Sequence, residues 1–128
     1  KNKALLLPEN PNISAKKFRN QIELQSGKSV AVVISDTFGR AWRKGQVNFA
    51  IGSSGISPIT NYIGKFDSFN NELFATEIAT IDEIASAAEL VMEKSINIPI
   101  AIVRGFEYEK SNEDASLLIR DQQEDFFL

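Results

Sequence analysis

The apolar run Val30-Ala31-Val32-Val33-Ile34 constrains this chain more than any other segment. β-Branched residues dominate it, turn-forming residues stand on both sides, and it is too short for a helix. It therefore reads as a buried strand. Directly after it come Ser35-Asp36-Thr37-Phe38-Gly39-Arg40-Ala41-Trp42-Arg43-Lys44-Gly45. A carboxylate, hydroxyls, two guanidinium groups and the only Trp are thereby expected just past a strand end, where α/β sheets present ligands.

Composition narrows the chemistry. The 128 residues fit one domain, 1–128, and contain neither Cys nor His. Disulfide scaffolds, thiolate metal sites, imidazole-based nucleophilic triads and the usual zinc sites are excluded. A metal would be held by oxygen ligands, which selects Mg, Mn or Ca. No apolar run approaches the ~20 residues of a membrane span, and no signal peptide is visible. A soluble, cytoplasmic protein with no membrane association is expected. The first residues, Lys1-Asn2-Lys3, lack Met, so the chain is read as starting inside a longer protein.

Net charge is −3, unevenly spread. Residues 1–65 carry ten Lys/Arg against three Asp/Glu, and residues 66–128 carry four against fourteen. The basic half can attract anionic ligands such as nucleotides. Nucleic acid is not expected as a partner, because the cations are scattered and no aromatic-basic interleaving occurs.

Along the chain, Leu5-Leu6-Leu7 leads into a turn-rich Pro8-Glu9-Asn10-Pro11-Asn12. Ser14 is placed as the N-cap of a helix with Phe18 and Ile22 inward, stopped by Gly27. Residues 46–63 alternate short β-like pieces with loops, and Pro58 restricts its segment to an edge. Gly64 to Asn71 reads as a turn region, with Asp67 a turn former. Leu73 to Ala79 is strand or the approach to a helix.

The clearest helix runs from Ile81 to about Lys94. Thr80-Ile81-Asp82-Glu83 reads as a capping box, and Ile81, Ile84, Ala88 and Val91 form an apolar stripe. Pro99-Ile100-Ala101-Ile102-Val103 is expected as a second buried strand. The tail is polar apart from Ser116 to Arg120 and Phe126-Phe127-Leu128.

Spacing leaves several sites open. Asp36 with Thr37 can hold hard cations, or Asp36 can cap a turn. Arg40 and Arg43, on one face of a helical turn, can fork a phosphate or form surface salt bridges. Trp42 is expected to anchor packing. Gly52-Ser53-Ser54-Gly55 can wrap an anion or be an ordinary loop. Glu89 and Glu93, four apart, can bind metal or form a solvated helix face. Composition and spacing together give an α/β-type domain and name no reaction.

The motifs in order are more specific. Ser35-Asp36-Thr37-Phe38-Gly39-Arg40-x-Trp42-Arg43-x-Gly45 is followed by Ala50-Ile51-Gly52-x-x-Gly55-Ile56 and Gly64-x-x-Asp67. Then come Thr80-x-Asp82-Glu83-x-Ala85-x-Ala87-Ala88-Glu89-Leu90-Val91-Met92 and Pro99-x-Ala101-Ile102-Val103-Arg104-Gly105. The opening Leu7-Pro8-Glu9-Asn10-Pro11 and the closing Glu124-Asp125-x-Phe127 fit as well. This series resembles the coenzyme F-420 gamma-glutamyl ligases over nearly the whole chain.

The resemblance implies an α+β fold, a mixed sheet packed against helices, and a homodimer. It also implies a reaction in which GTP and Mg or Mn activate a carboxylate of the deazaflavin precursor as an acyl phosphate, which the amine of L-glutamate attacks. Residue by residue, Asp36 and Thr37 fall on the metal motif. Arg40 and Arg43 are expected at phosphate or substrate, and Met92 with Lys94 at the nucleotide. Catalytic residues beyond these are not indicated.

Ala41 stands where the family has Pro, Asn70-Asn71 where it has Gly-Arg, and Glu93-Lys94 where it has Gly-Gln or Gly-Lys. Family members are about twice this length, so the chain resembles a carboxy-terminal portion, inactive when alone. The alternatives are a non-catalytic ligand-binding or interaction domain and a ligase for another carboxylate.

Overall fold

The computed structural model describes residues 4 and 6–125. The start of the Leu5-Leu6-Leu7 run and the closing Phe126-Phe127-Leu128 therefore lie at least partly outside the described residues. The class is α+β, as expected: two helices pack on two small antiparallel sheets.

Helix α1 spans Pro11–Ser26 and begins earlier than Ser14. Asn10 is the cap, its Oδ1 accepting the Ile13 N–H at 2.9 Å, and Pro11 supplies the pre-set first turn. The Ser14 hydroxyl instead donates back to the Asn10 carbonyl. Gly27 ends the helix in the left-handed conformation, as the sequence suggested. The expected inner face is not the observed one, since Phe18 and Ile22 are exposed and Ala15 is fully buried. The reason is how closely α1 approaches the sheet. A Cβ at Gly52 would collide with Pro11, and the Arg19 guanidinium lies against Gly55. Small and polar residues at i, i+4 and i+8 fit that gap where Phe18 cannot.

Strands β1 (Val32–Arg40) and β2 (Arg43–Ser54) form one antiparallel hairpin turning at Ala41-Trp42. The strand expected over Val30 to Ile34 begins at Val32, is half-buried rather than buried, and continues through the polar motif instead of stopping at Ile34. Pairing with β2 supplies backbone partners all along it, so polar residues can continue the strand on alternate faces. A bulge places Ile51 between the pairs Ile34↔Gly52 and Ser35↔Ala50. Arg40 pairs with Arg43 across the turn rather than stacking on a helix. Trp42, at φ 64° and 94% exposed, forms the turn and anchors no packing. Gly52-Ser53-Ser54 is the end of β2, not a loop.

Strands β3 (Thr60–Asn61) and β4 (Glu77–Ile78) pair briefly. Between them Asp67 forms the expected turn, its Oδ1 accepting the N–H groups of Phe69 and Asn71, both at 2.8 Å. Those backbone donors hold its carboxyl below the ordinary value.

Helix α2 spans Thr80–Met92. The capping box is not formed. The Thr80 hydroxyl shares a 2.6 Å hydrogen bond with that of Thr60, tying the helix start to β3. Asp82 instead reaches the sheet, its Oδ1 accepting the Ala50 N–H at 2.9 Å. Of the apolar stripe, Ile81 is fully buried and Ile84 packs on the core, whereas Val91 is exposed.

Ile56, Ile81 and Ala115 form the core, with Ala31, Val33, Ala50, Ile84, Tyr108 and Leu118 against it. Each fully buried Ile contributes roughly 1.5–3 kcal/mol. The second strand, Pro99 to Val103, is not formed. Among the described residues nothing pairs with it, and Ile100 and Ile102 are exposed at 76% and 74%. A strand needs a neighbouring edge, and none reaches this segment.

Burial raises the Asp82 carboxyl above its ordinary 3.8, outweighing the Ala50 N–H that favours the anion. The folded protein then binds this proton more tightly than the unfolded one. Its contribution is full below pH 3.8 and is lost as pH rises through the raised value. Asp82→Asn, which keeps an acceptor but does not titrate, should flatten that fall in urea-unfolding stability. Asp82→Ala should cost about 1 kcal/mol at neutral pH by leaving Ala50 N–H without its acceptor.

Candidate functional site

Alternation along β1 sends Asp36 and Thr37 to opposite faces of the hairpin. Asp36 shares its face with its cross-strand partner Phe49 and with Phe38. The two rings stack on that face with centroids 4.1 Å apart. The Asp36 Oδ1 accepts the Thr37 N–H at 2.8 Å, which fixes one oxygen at the outer edge of β1.

Thr37 faces the other way, opposite Asn48. The Asn48 side chain is 2% exposed, and its amide donates to Glu89 Oε2 at 2.9 Å and, more weakly, to Ser35 Oγ at 3.4 Å. Glu89 in turn lies 3.9 Å from the Lys94 ammonium. Ser35, Thr37, Asn48, Glu89 and Lys94 thus form one polar cluster between the hairpin and the end of α2. Asn48 Oδ1 is buried in it without a hydrogen-bond partner, leaving an acceptor uncommitted.

Helix α2 positions this cluster through a polar stripe at i, i+4 and i+7. Asp82 takes the Ala50 N–H, Ser86 donates to the Asn48 carbonyl at 2.8 Å, and Glu89 takes the Asn48 amide. Those two backbone groups face away from β1, so the helix satisfies the outer edge of β2.

The structure brings Lys94 and Thr37 to one cluster through Glu89 and Asn48. Met92 ends α2, half-buried and two residues before Lys94. Arg40 and Arg43 stand exposed beside the hairpin turn, apart from that cluster in the fold, and neither forms an ion pair among the described residues. Glu89 and Glu93 do not act as a pair, because Glu93 lies past the helix end at φ 48°. Sequence reading missed Asn48 altogether. An Asn in a β-like piece carries no site signal of its own, and its part shows only with its burial beside Glu89.

The donors are hard oxygens, which suits Mg or Mn rather than a soft ion. Among the described residues no three or more Asp or Glu gather into a metal cluster. Asp36 and Thr37 present their oxygens on opposite faces of the hairpin, and the uncommitted Asn48 acceptor is buried.

The sequence model of the F420-0:Gamma-glutamyl ligase family matches residues 1–105. The chain is 46% identical over 123 residues to the coenzyme F420:L-glutamate ligase of Methanocaldococcus jannaschii, covering 95% of this chain and 49% of that protein. It is 45% identical over 102 residues to the ligase of that name from Methanosarcina mazei, covering 79% and 40%. For that of Methanococcus maripaludis the identity is 41% over 122 residues, covering 94% and 49%. The chain spans about half the length of the curated relatives it matches.

Asn48→Asp should set a second carboxylate against Glu89, where both cannot remain ionised without strain. We expect a loss of about 2–3 kcal/mol in urea unfolding at pH 7 relative to the unsubstituted chain. Unchanged stability would show that Asn48 does not hold Glu89.

Proposed function

The chain belongs to the F420-0:gamma-glutamyl ligase family, and from that premise we propose that it supplies part of a ligase site. The reaction joins L-glutamate through an amide bond to the coenzyme F-420 precursor, using GTP with Mg or Mn. The names of the relatives support the substrates. The single observation that supports a metal-phosphate site is the hairpin that sets the Asp36 carboxylate on one face and Thr37, with the Asn48–Glu89 cluster, on the other.

In this reading the Asp36 carboxylate and the Thr37 oxygen are the groups that would hold metal ions. The ions would neutralise phosphate charge, which lowers the cost of transferring a phosphoryl group to the substrate carboxylate. The Thr37 N–H bond holds one Asp36 carboxylate oxygen in place before substrate arrives. Glu89, held by Asn48, orients the Lys94 ammonium toward anionic groups near the end of α2. Arg40 and Arg43, side by side across the turn, can grip a phosphate or a carboxylate of the substrate.

A homodimer and a cytoplasmic location go with this reading. Among the described residues no helix is long and apolar enough to cross a membrane.

The test joins this chain to the unmatched half of the Methanocaldococcus jannaschii relative. The fusion is supplied with GTP, Mn, L-glutamate and the precursor, and the product is read by mass spectrometry. Glutamate addition should occur and fall by about a hundredfold or more in Asp36→Ala. Addition that survives both Asp36→Ala and a chelator would overturn the reading.

A further inference from the structure

A folded protein of 14.2 kDa exposes about 6,800 Å² by the size scaling of monomeric proteins. This chain exposes 10610 Å². The excess, roughly 3,800 Å², is far more than the ~800 Å² per partner of an ordinary protein–protein contact. It is closer to what is bared when one core is cut in two. Large apolar side chains account for much of it, among them Leu90, Val91, Ile98, Ile100, Ile102 and Val103.

Ile98-Pro99-Ile100-Ala101-Ile102-Val103 is the informative part. Its Ile residues recur at period two, the pattern of a strand with one apolar face. It lies inside the family match, so it belongs to the shared fold rather than to a tail. Yet no backbone hydrogen bond within the described residues reaches it. Among the described residues neither sheet has more than two strands, fewer than independent stability normally needs.

We propose that residues 98–103 are a β-strand whose partner edge is supplied by the half of the family fold that this chain does not match. The length difference of about half a protein names the occupant, and the exposed area is of the size such a half would bury. Pro99 sets the side on which pairing occurs. It has no N–H, and neighbouring residues of a strand direct their backbone groups to opposite sides. The pairing amides are therefore those of Ile98, Ile100 and Ile102, with Pro99 and Ala101 turned away. This inference rests on family membership and not on the GTP and metal reading, so its test reads binding alone.

This chain is co-expressed with the tagged unmatched half of the Methanocaldococcus jannaschii relative, and separately with that of Methanosarcina mazei. We expect co-purification at one to one, with amide exchange at Ile98, Ile100 and Ile102 slowed at least a hundredfold relative to the chain alone. Ile100→Pro should abolish that slowing, whereas Ala101→Pro should retain it. Because the segment is unpaired in the isolated chain, neither substitution should change that chain's circular dichroism. Failure to co-purify with either half would overturn the proposal. So would a complex in which these amides stay unprotected, equal effects of the two Pro variants, or protection by self-association without the added half.

Discussion

The outer edge of β2 is the constraint on which the rest depends. A hairpin satisfies the inner backbone groups of its two strands and leaves the outer ones bare. Here the Ala50 N–H and the Asn48 carbonyl are taken by Asp82 and Ser86, and the Asn48 side chain by Glu89. One polar stripe of α2 therefore does what a third strand would do. Because the partners are side chains at fixed helical spacing, register and distance are set together. The same stripe buries Ile81 against Ile56 and brings the end of α2 beside Thr37. Fold and candidate site come from one docking event.

Much of this was legible in the residues, and the limits have physical causes. The strand character of Val32 to Ile34, the Gly27 stop, the Asp67 turn and the body of α2 are local, and local chemistry reveals them. The strand's continuation through Ser35 to Arg40 depends on β2, a partner that begins only after the turn. Ser14 was passed over as a cap because Pro11 already fixes the first turn and Asn10 precedes it. Thr80 satisfies β3 instead of its own helix. The capping-box spacing describes a helix in isolation, and tertiary contacts took its hydroxyl elsewhere.

The site was legible in part. Asp36 and Thr37 stood out by residue type, but their separation onto two faces follows from the pairing with Phe49 and Asn48. Asn48 carries no motif of its own, and its role comes from burial beside Glu89. Pro99 to Val103 shows the opposite failure. Its pattern is that of a strand, and the described residues lack the edge that would complete it.

The hairpin is a two-faced platform, with the Asp36 carboxylate and the stacked Phe38 and Phe49 rings on one side and a helix-held polar cluster on the other. The most direct test is an anomalous-scattering map from crystals of this chain joined to the unmatched half of a relative, grown with Mn and GTP. The expected result is one Mn peak about 2.1 Å from an Asp36 carboxylate oxygen and a second on the Thr37 face. Mn bound only elsewhere, with Asp36 and Thr37 uncoordinated, would contradict it.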